Sequence, residues 1–257
     1  MTPPVFRCLS AALAGDVVVL DGAEGRHAAT VRRVRVGERV DLVDGAGLRA
    51  AAVVTAVGRD RLELHVEQRT HEPAPEPRVV VVQALVKGDR TELAAELLTE
   101  AGADEIVPWA AERCIVRWDA AKAAKGEQRL QSTADEAAKQ ARRARWPVVS
   151  PLAGTPEVEQ RVRSVSSKGG ACYVLHESAT TTLAGGNLPS AGDVVLIVGP
   201  EGGISDAELA AFSAAGAVPA RLGPEVLRAS TAGVVAVAAL AARLGRWDAA
   251  PGTRQRP

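Results

Sequence analysis

Three prolines alternate with other residues between His71 and Pro77, and this segment separates two different sequence patterns. Proline fixes its own φ angle and pushes the preceding residue toward extended conformations, so the segment predicts a stiff linker. β-rich runs precede it, whereas strand-like and helix-like runs alternate after it. The sequence therefore predicts four parts: a β domain over 1–72, a linker over 73–78, an α/β domain over 79–248 and a disordered tail over 249–257.

The first part contains short β-rich runs separated by glycine-containing turns. Arg61–Val66 alternates apolar and polar residues, as a half-buried strand does. Residues 25–36 predict a short helix that carries several arginines. These runs predict a small barrel-like β domain, with strands at Val17–Leu20, Arg39–Val43, Arg49–Val57 and Arg61–Val66.

The second part begins with Val79–Val86, a continuous apolar run typical of a strand buried on both faces. Asp89–Glu92 and Ser205–Glu208 have the spacing of helix capping boxes. The alternation predicts an α/β domain with a mostly parallel sheet. Further strands are predicted at Glu105–Trp109, Ala171–His176, Asp193–Val198 and Val218–Leu222, and helices after Asp89, within 119–145, after Ser205 and over Ser230–Leu244.

Charge and cysteine content limit the class of protein. The chain has 31 basic and 31 acidic residues, so nucleic-acid binding would depend on local basic stretches such as 26–39 and 117–147. In the second stretch, Arg142, Arg143 and Arg145 form a cluster that is predicted to end the long helix. Three widely spaced cysteines fit a reducing cytoplasm better than a disulfide scaffold or a zinc site. Neither a signal peptide nor an uncharged apolar run of about 20 residues is present, which predicts a cytoplasmic protein without a membrane partner.

Several catalytic motifs are absent or misleading. Gly45–Ala50 fits the dinucleotide fingerprint G-x-G-x-x-A, but β-branched residues follow it where a helix would have to hold the pyrophosphate. The segment therefore predicts a hairpin turn. The chain has no G-x-S-x-G and no H-E-x-x-H, and its four histidines lack metal-ligand spacing, so we expect no metal.

The strongest signal is a pair of loops that each join a predicted buried strand to a helix. Gly199–Ile204 follows one strand, and Leu222–Arg228 follows another. Glycine lets main-chain groups approach a ligand closely, and proline stiffens the loop. Two such loops predict a site that binds a flat, polar adenosine by main-chain hydrogen bonds, whereas each alone would fit an ordinary turn.

With these motifs the sequence resembles the 16S ribosomal RNA uridine-N3 methyltransferases, a family of the SPOUT (trefoil-knot) class. The match consists of Gly199–Gly203, then Leu222-Gly-Pro-x-x-Leu-Arg228, then Thr231 and Ala232. Weaker matches, such as Gln83 with Lys87-Gly88 and His176-Glu177, extend over residues 5–245. The resemblance implies a PUA-like β domain for RNA, followed by a SPOUT domain with a C-terminal knot.

The resemblance also implies the ligands and the partners. The cofactor is S-adenosyl-L-methionine (SAM), the substrate is 16S rRNA in the 30S subunit, the active form is a homodimer, and the activity is that of a 16S rRNA (uracil(1498)-N(3))-methyltransferase. The implied cofactor-binding residues are Leu175, His176, Glu177, Val198, Gly199, Pro200, Glu201, Gly202, Gly203, Leu222, Gly223, Leu227, Arg228, Thr231 and Ala232. The candidate RNA-binding residues are Arg7, Arg26, Arg32, Arg33, Arg35, Lys87, Arg90, Arg113, Arg142, Arg143 and Arg145.

Methylation of uracil N3 requires loss of a proton from N3 and stabilisation of the charge on O2 and O4. Arg228 is the candidate for that stabilisation, since guanidinium donors can face a carbonyl oxygen. Glu201 is the candidate base or partner of the SAM amino group, with a loop-ordering hydrogen bond as the alternative. The family often has glutamate where this chain has Ser230, which instead is a candidate helix cap.

Three alternatives remain open at this point. The same fold can act on another RNA, such as tRNA or 23S rRNA. A non-catalytic RNA-binding assembly factor would have no affinity for SAM. A nucleotide-dependent oxidoreductase built on Gly45–Ala50 would require a helix directly after that segment.

Overall fold

The computed structural model describes residues 2–248, which divide into two compact units. The first unit contains residues 2–74 and 138–146, and the second contains 75–137 and 147–248. The sequence predicted that 79–248 would form one domain, whereas residues 138–146 belong to the first unit. The predicted tail over 249–257 lies outside the described residues.

The first unit is a curled five-stranded sheet in the order β1-β3-β4-β5-β2. β1 is parallel to β3, and the other pairings are antiparallel. All five strands contribute to one core, which requires the sheet to bend, and irregularities in the β4–β5 pairing assist the bend. The strands are β1 (Val5–Arg7), β2 (Val17–Leu20), β3 (Arg39–Val43), β4 (Leu48–Val57) and β5 (Leu62–His71).

The helix predicted over residues 25–36 is shorter than expected. Helix α1 spans Gly22–Arg26 and continues into a wider helical turn over His27–Val31. The amide of Val34 then donates to the carbonyl of Ala28 at 3.1 Å, and the Val34 side chain is buried in the core. This contact ends the helix, so Arg32, Arg33 and Arg35 lie in the exposed segment that follows it.

The turn at Gly45–Gly47 confirms the hairpin interpretation. Both glycines have positive φ angles, and the Asp44 carboxylate accepts hydrogen bonds from the amides of Ala46 and Leu48. β4 begins at Leu48, so no helix follows the glycines. The dinucleotide interpretation lacks the helix N-terminus that it requires.

The second unit contains a six-stranded parallel sheet in the order β11-β9-β10-β6-β7-β8. Its strands are β6 (Arg78–Ala84), β7 (Glu105–Trp109), β8 (Val148–Val149), β9 (Ala171–Leu175), β10 (Asp193–Val198) and β11 (Val218–Ala220). The helices are α2 (Arg90–Ala101), α3 (Ala120–Gln140), α4 (Thr155–Ser167), α5 (Asp206–Ala214) and α6 (Ala229–Arg243). The last turn of α3 belongs to the first unit.

Helices cover both faces of this sheet, as the apolar run over Val79–Val86 predicted. Val79 and Val81 face a core that contains residues of α2 and α6, whereas Val80 and Val82 face residues of α4 and α5. All four valines are fully buried. The arrangement confirms the predicted α/β class with a parallel sheet.

The helix ends confirm part of the capping analysis. Ser205 and Glu208 form the predicted capping box of α5, and Gly102 ends α2 in a left-handed conformation. The predicted box at Asp89 is wrong, because its side chain makes no capping hydrogen bond. Thr91 orders this turn instead, since its hydroxyl bonds to both the amide and the carbonyl of Val86.

The predicted position of the second arginine cluster also changes. Helix α3 ends at Gln140, and Arg142 then takes a left-handed conformation with φ of 57°. Ala144 is buried against Val5 and Val43 of the first unit. Arg142, Arg143 and Arg145 therefore follow the long helix rather than end it, because burial of Ala144 redirects the chain.

Glu105 connects strand β7 to two arginines. Its carboxylate lies 3.0 Å from Arg78 and 2.7 Å from Arg161, and the Ser150 hydroxyl donates to it at 2.6 Å. Burial favours the neutral acid, but the Ser150 hydrogen bond and the two arginines outweigh burial and lower the pKa of Glu105.

Glu105→Gln is expected to lower the free energy of unfolding by about 1–2 kcal/mol at neutral pH. Because the pKa of Glu105 is lower in the folded protein than in the unfolded chain, its ionised carboxylate stabilises the fold at pH values above the ordinary carboxyl pKa. This stability is lost as the pH falls through the lowered pKa. The difference in free energy of unfolding between wild type and Glu105→Gln should therefore become smaller as the pH is lowered. Urea titrations of both proteins at about pH 7 and about pH 3 test this; a difference that does not depend on pH would contradict it.

Three further observations concern the described residues as a whole. Cys8, Cys114 and Cys172 are buried and form no disulfide. Between residues 2 and 248, no helix has the length and apolar character required to cross a bilayer. In the same range, no group of three or more His, Cys, Asp or Glu side chains is placed to hold a metal ion.

Candidate active site

The loops that follow β9, β10 and β11 start at the same edge of the sheet. β9 pairs in parallel with both β10 and β11, so the carboxyl ends of the three strands point in one direction. In open α/β sheets, ligands bind in the crevice outside this edge. The sheet thus brings both predicted loops to the edge where a ligand site is expected.

A small cavity of about 80 Å³ lies between the loops after β9 and β11. Part of the predicted cofactor set lines it: Leu175, His176, Glu177, Leu222, Gly223, Leu227 and Ala232. Sequence reasoning missed four further lining residues, which are Ala220, Arg221, Glu225 and Val226. The side chains are mainly apolar, with main-chain polar groups between them, which suits an adenosine-like ligand.

The cavity is smaller than the roughly 300–1,000 Å³ typical of ligand pockets. Residues 225–227 of the β11 loop line one side of it and are exposed, with Val226 78% accessible. Few packing contacts therefore oppose an outward movement of the loop.

His176 is held in a defined orientation at the cavity. Its amide donates to the carbonyl of Ala220 at 3.0 Å, which ties the β9 loop to β11. The amide of Ser178 donates to its Nδ1 at 3.3 Å, and the Ser178 hydroxyl lies 2.9 Å from the same atom. Because a backbone amide can only donate, neutral His176 carries its proton on Nε2.

The loop over Gly199–Ile204 does not line this cavity and packs against a different segment. The Glu201 carboxylate accepts a hydrogen bond from the amide of Lys87 at 3.2 Å and lies 3.9 Å from Arg90. A Cβ added at Gly202 would lie 3.2 Å from the carbonyl oxygen of Arg113. Val198 is buried beside Gly233 in the first turns of α6. The two predicted loops therefore have different neighbours: the loop after β10 contacts Lys87 and Arg113, whereas the loop after β11 lines the cavity.

Arg228 occupies the N-cap position of α6 in an extended conformation. Its side chain is exposed, and its guanidinium makes no hydrogen bond or ion pair with residues 2–248. Thr231 donates from its hydroxyl and its amide to the carbonyl of Arg228. Ser230 lies inside the first turn of α6 and does not cap it, so that prediction is wrong.

Gln83 supports the same turn from inside the protein. It is 2% exposed at the end of β6, and its Nε2 donates to the carbonyl of Ala229 at 3.2 Å. Its Oε1 is buried without a partner and would lie 3.2 Å from a Cβ at Gly233. Gln83 therefore fixes the peptide between Ala229 and Ser230, one residue after Arg228.

The candidate RNA-binding residues fall into two groups. Lys87, Arg90 and Arg113 are exposed around the loop over Gly199–Ile204 in the second unit. The remaining residues belong to the first unit, where Arg143 and Arg145 donate to the carbonyls of Arg145 and Glu72 and thus stabilise the fold. The candidates of the first unit that are exposed are Arg7, Arg26, Arg32, Arg33, Arg35 and Arg142.

Comparisons with known proteins agree with this fold. Residues 73–241 match the family model of an RNA methyltransferase domain, and residues 20–67 match that of an RNA methyltransferase PUA domain. The chain thus has the domain composition of the RNA methyltransferases that carry an N-terminal PUA domain. The trefoil knot that the resemblance implies stays a prediction.

The chain belongs to the ribosomal RNA small subunit methyltransferase E family. It is 50% identical over 235 residues to the protein of that name from Mycobacterium bovis, which covers 91% of this chain and 90% of the relative. The Bacillus subtilis protein of that name is 29% identical, and the alignment covers 86% of this chain and 88% of the relative. The Neisseria gonorrhoeae protein of that name, whose crystal structure contains bound S-adenosyl methionine, is 28% identical in sequence. Its structure aligns with this one with a TM-score of 0.82, over 94% of this chain and 98% of that chain. The predicted family is thereby confirmed.

Proposed function

We propose that this chain transfers the methyl group of SAM to N3 of one uridine of 16S rRNA in the small ribosomal subunit, the reaction of a 16S rRNA (uracil(1498)-N(3))-methyltransferase. The observation that carries the proposal is the cavity at the carboxyl edge of the parallel sheet, with the free guanidinium of Arg228 in the loop beside it. Relatives named as rRNA small subunit methyltransferases support the substrate.

The residues of the cavity fit the cofactor. Leu175, Leu222 and Leu227 provide apolar contacts for an adenine ring, and main-chain groups of the β11 loop provide hydrogen bonds. His176 presents an Nε2 donor, which follows from the hydrogen bond at its Nδ1. When bound, SAM supplies an electrophilic methyl group. The Neisseria gonorrhoeae relative of the same fold was solved with this cofactor.

Arg228 is the residue that we assign to the uracil. Uracil N3 becomes a nucleophile only after it loses its proton, and the resulting charge is spread over O2 and O4. The guanidinium of Arg228 has free donors that can face one of these oxygens. Thr231 donates to the carbonyl of Arg228 and Gln83 donates to the carbonyl of Ala229, so the backbone at the base of the Arg228 side chain is fixed.

Glu201 has a different geometry from that expected of a base. Its carboxylate is engaged by the amide of Lys87, next to the exposed Arg90. This contact supports the loop-ordering role, in which Glu201 fixes the loop after β10 to the turn before α2. We therefore assign Glu201 a positioning role in the loop after β10, outside the cavity wall.

The active form is proposed to be a homodimer in the cytoplasm. Helices α2 and α6 together leave apolar side chains exposed, including Leu93 at 43% and Val235 at 42%. A second copy would cover this surface, since exposed apolar surfaces of this kind mark interaction sites. Light scattering that gives the mass of a monomer at micromolar concentration would contradict this part of the proposal.

Isothermal titration with SAM tests the cofactor assignment. The wild-type chain is expected to bind SAM, and a saturating concentration of about 100 times Kd should stabilise the protein by about 2.7 kcal/mol. Gly223→Val, which puts a branched side chain into the cavity wall, should weaken binding. Absence of SAM binding would favour the non-catalytic assembly factor, and methylation of tRNA or 23S rRNA instead of 16S rRNA would place the chain in another substrate class.

A further inference from the structure

Trp146 is held rigidly in the first unit. Its indole Nε1 donates to the carbonyl of Arg143 at 2.9 Å, and its amide donates to the carbonyl of Gly45 at 2.9 Å. One face of the ring lies against Gly45, where an added Cβ would be 3.3 Å from Cδ2. The partly buried ring also packs on the cluster of Val5, Val43 and Ala144. The ring orientation is therefore set before any ligand binds.

The guanidinium of Arg7 lies over this ring. Its Cζ is 4.8 Å from the centroid of Trp146, within the range of a cation–π contact. Arg7 is nevertheless exposed, and its amide is fixed by a 3.1 Å hydrogen bond to the Glu24 carboxylate. The pair thus presents a guanidinium to solvent that is supported from behind by an aromatic ring.

Arg142 places a second exposed cation in the same loop as Trp146. Arg142 and Arg33 are the two non-glycine residues with positive φ in the described range, a conformation that costs about 1–2 kcal/mol. The conformation of Arg142 is held by its carbonyl, which accepts from Arg49 at 2.8 Å. Its guanidinium makes no contact of hydrogen-bond or ion-pair type with residues 2–248.

We propose that Arg7, Trp146 and Arg142 form a binding site for one unpaired nucleotide of RNA. The base stacks on the guanidinium of Arg7, which Trp146 supports, and Arg142 binds the adjacent phosphate. Unpaired bases stack on aromatic rings and on arginine planes, and arginine binds phosphate with two parallel hydrogen bonds. This inference rests on the proposed RNA substrate.

The site differs from what the domain match describes. The PUA match covers residues 20–67, whereas all three residues lie outside it, on β1 and on the segment 138–146. Nearby carboxylates are already used: Glu24 pairs with Lys139, and Asp44 accepts hydrogen bonds from two amides and from Ser10. Arg7 and Arg142 both carry a positive charge and are both exposed, which favours a nucleic acid over a basic partner.

Two arginine variants separate stacking from charge. Arg7→Ala should weaken binding of the full chain to a labelled single-stranded RNA oligonucleotide about tenfold, since stacking on one base contributes about 1–3 kcal/mol. Arg7→Lys should lose nearly as much, because it keeps the charge without the planar group. Arg163→Ala, which removes an exposed arginine from α4, is the matched control and should bind like wild type.

An abasic oligonucleotide of the same length tests whether the binding depends on the bases. It should bind wild type and Arg7→Lys equally, because only the charge contact remains. Wild-type affinity of Arg7→Lys for the normal oligonucleotide would overturn the proposal. A loss of affinity confined to intact subunits would also overturn it and would assign the surface to a ribosomal protein. Failure of the wild-type chain to methylate rRNA would refute the proposed function instead.

Discussion

Arg228→Ala is expected to lower the rate of methyl transfer about 100- to 1,000-fold while the Kd for SAM stays within about threefold. The guanidinium is exposed and makes no hydrogen bond with described residues, so its removal should not disturb the fold. The charge that develops on uracil O2 or O4 would lose its donor in the transition state. Single-turnover assays with small subunits as substrate, together with titration of SAM, measure the two quantities separately.

Arg228→Lys is the informative companion to that variant. It keeps the charge but not the forked donors, so its rate is expected to lie between those of wild type and Arg228→Ala. Arg163→Ala serves again as a control for the loss of one exposed arginine. Turnover of Arg228→Ala at the wild-type rate, with SAM binding intact, would remove Arg228 from the mechanism.

Glu208→Ala is expected to lower the free energy of unfolding by about 3 kcal/mol and the Tm by roughly 6–12 °C. The carboxylate is only 3% exposed and accepts four hydrogen bonds. One oxygen accepts from the Glu112 amide and the Thr155 hydroxyl, and the other accepts from the amide and the hydroxyl of Ser205. Removal of the carboxylate leaves the two buried donors of Ser205 unsatisfied and breaks the two part-buried hydrogen bonds from Glu112 and Thr155.

The effect should extend to the loop after β10, because Ser205 follows that loop directly. Glu208→Gln keeps one acceptor oxygen and should lose less stability than Glu208→Ala. Asp206→Ala changes an exposed carboxylate on the same helix and should shift the Tm little. Thermal unfolding of the four proteins provides the test, and a Tm of Glu208→Ala equal to that of Asp206→Ala would show that the hydrogen bonds contribute little.

The elements that the sequence predicted correctly are those with a strong local pattern. Val17–Leu20, Arg39–Val43, Glu105–Trp109 and Asp193–Val198 have the predicted limits, because β-branched runs are bounded there by turn residues. Helix α4 was missed, although Val158, Val162 and Val165 have helical spacing and are buried. Its valines and serines, which have low helix propensity, obscured that pattern.

Features that depend on distant packing were not predictable. The left-handed turn at Arg142 follows from burial of Ala144 against β1 and β3, which no local pattern encodes. The contact of Arg7 with Trp146 joins residues 139 positions apart in the chain. The knot was likewise implied only by resemblance, since strand periodicity carries no information on how a chain is threaded.

The candidate site was predicted in part. The family motifs identified residues of the cavity wall, and the sheet brings them together at its carboxyl edge. They did not show that the loop after β10 packs on Lys87 rather than on the β11 loop. Gln83 had a readable signal, because it is the polar residue within the apolar run over Val79–Val86.

The identity of the methylated nucleoside tests the central claim most directly. Small ribosomal subunits that lack the modification would be incubated with the purified chain and SAM, and their rRNA would be digested and analysed by mass spectrometry. The proposed function predicts N3-methyluridine at a single site of 16S rRNA, formed by wild type and nearly absent with Arg228→Ala. A methyl group on another atom or another RNA, or no methyl transfer at all, would contradict it.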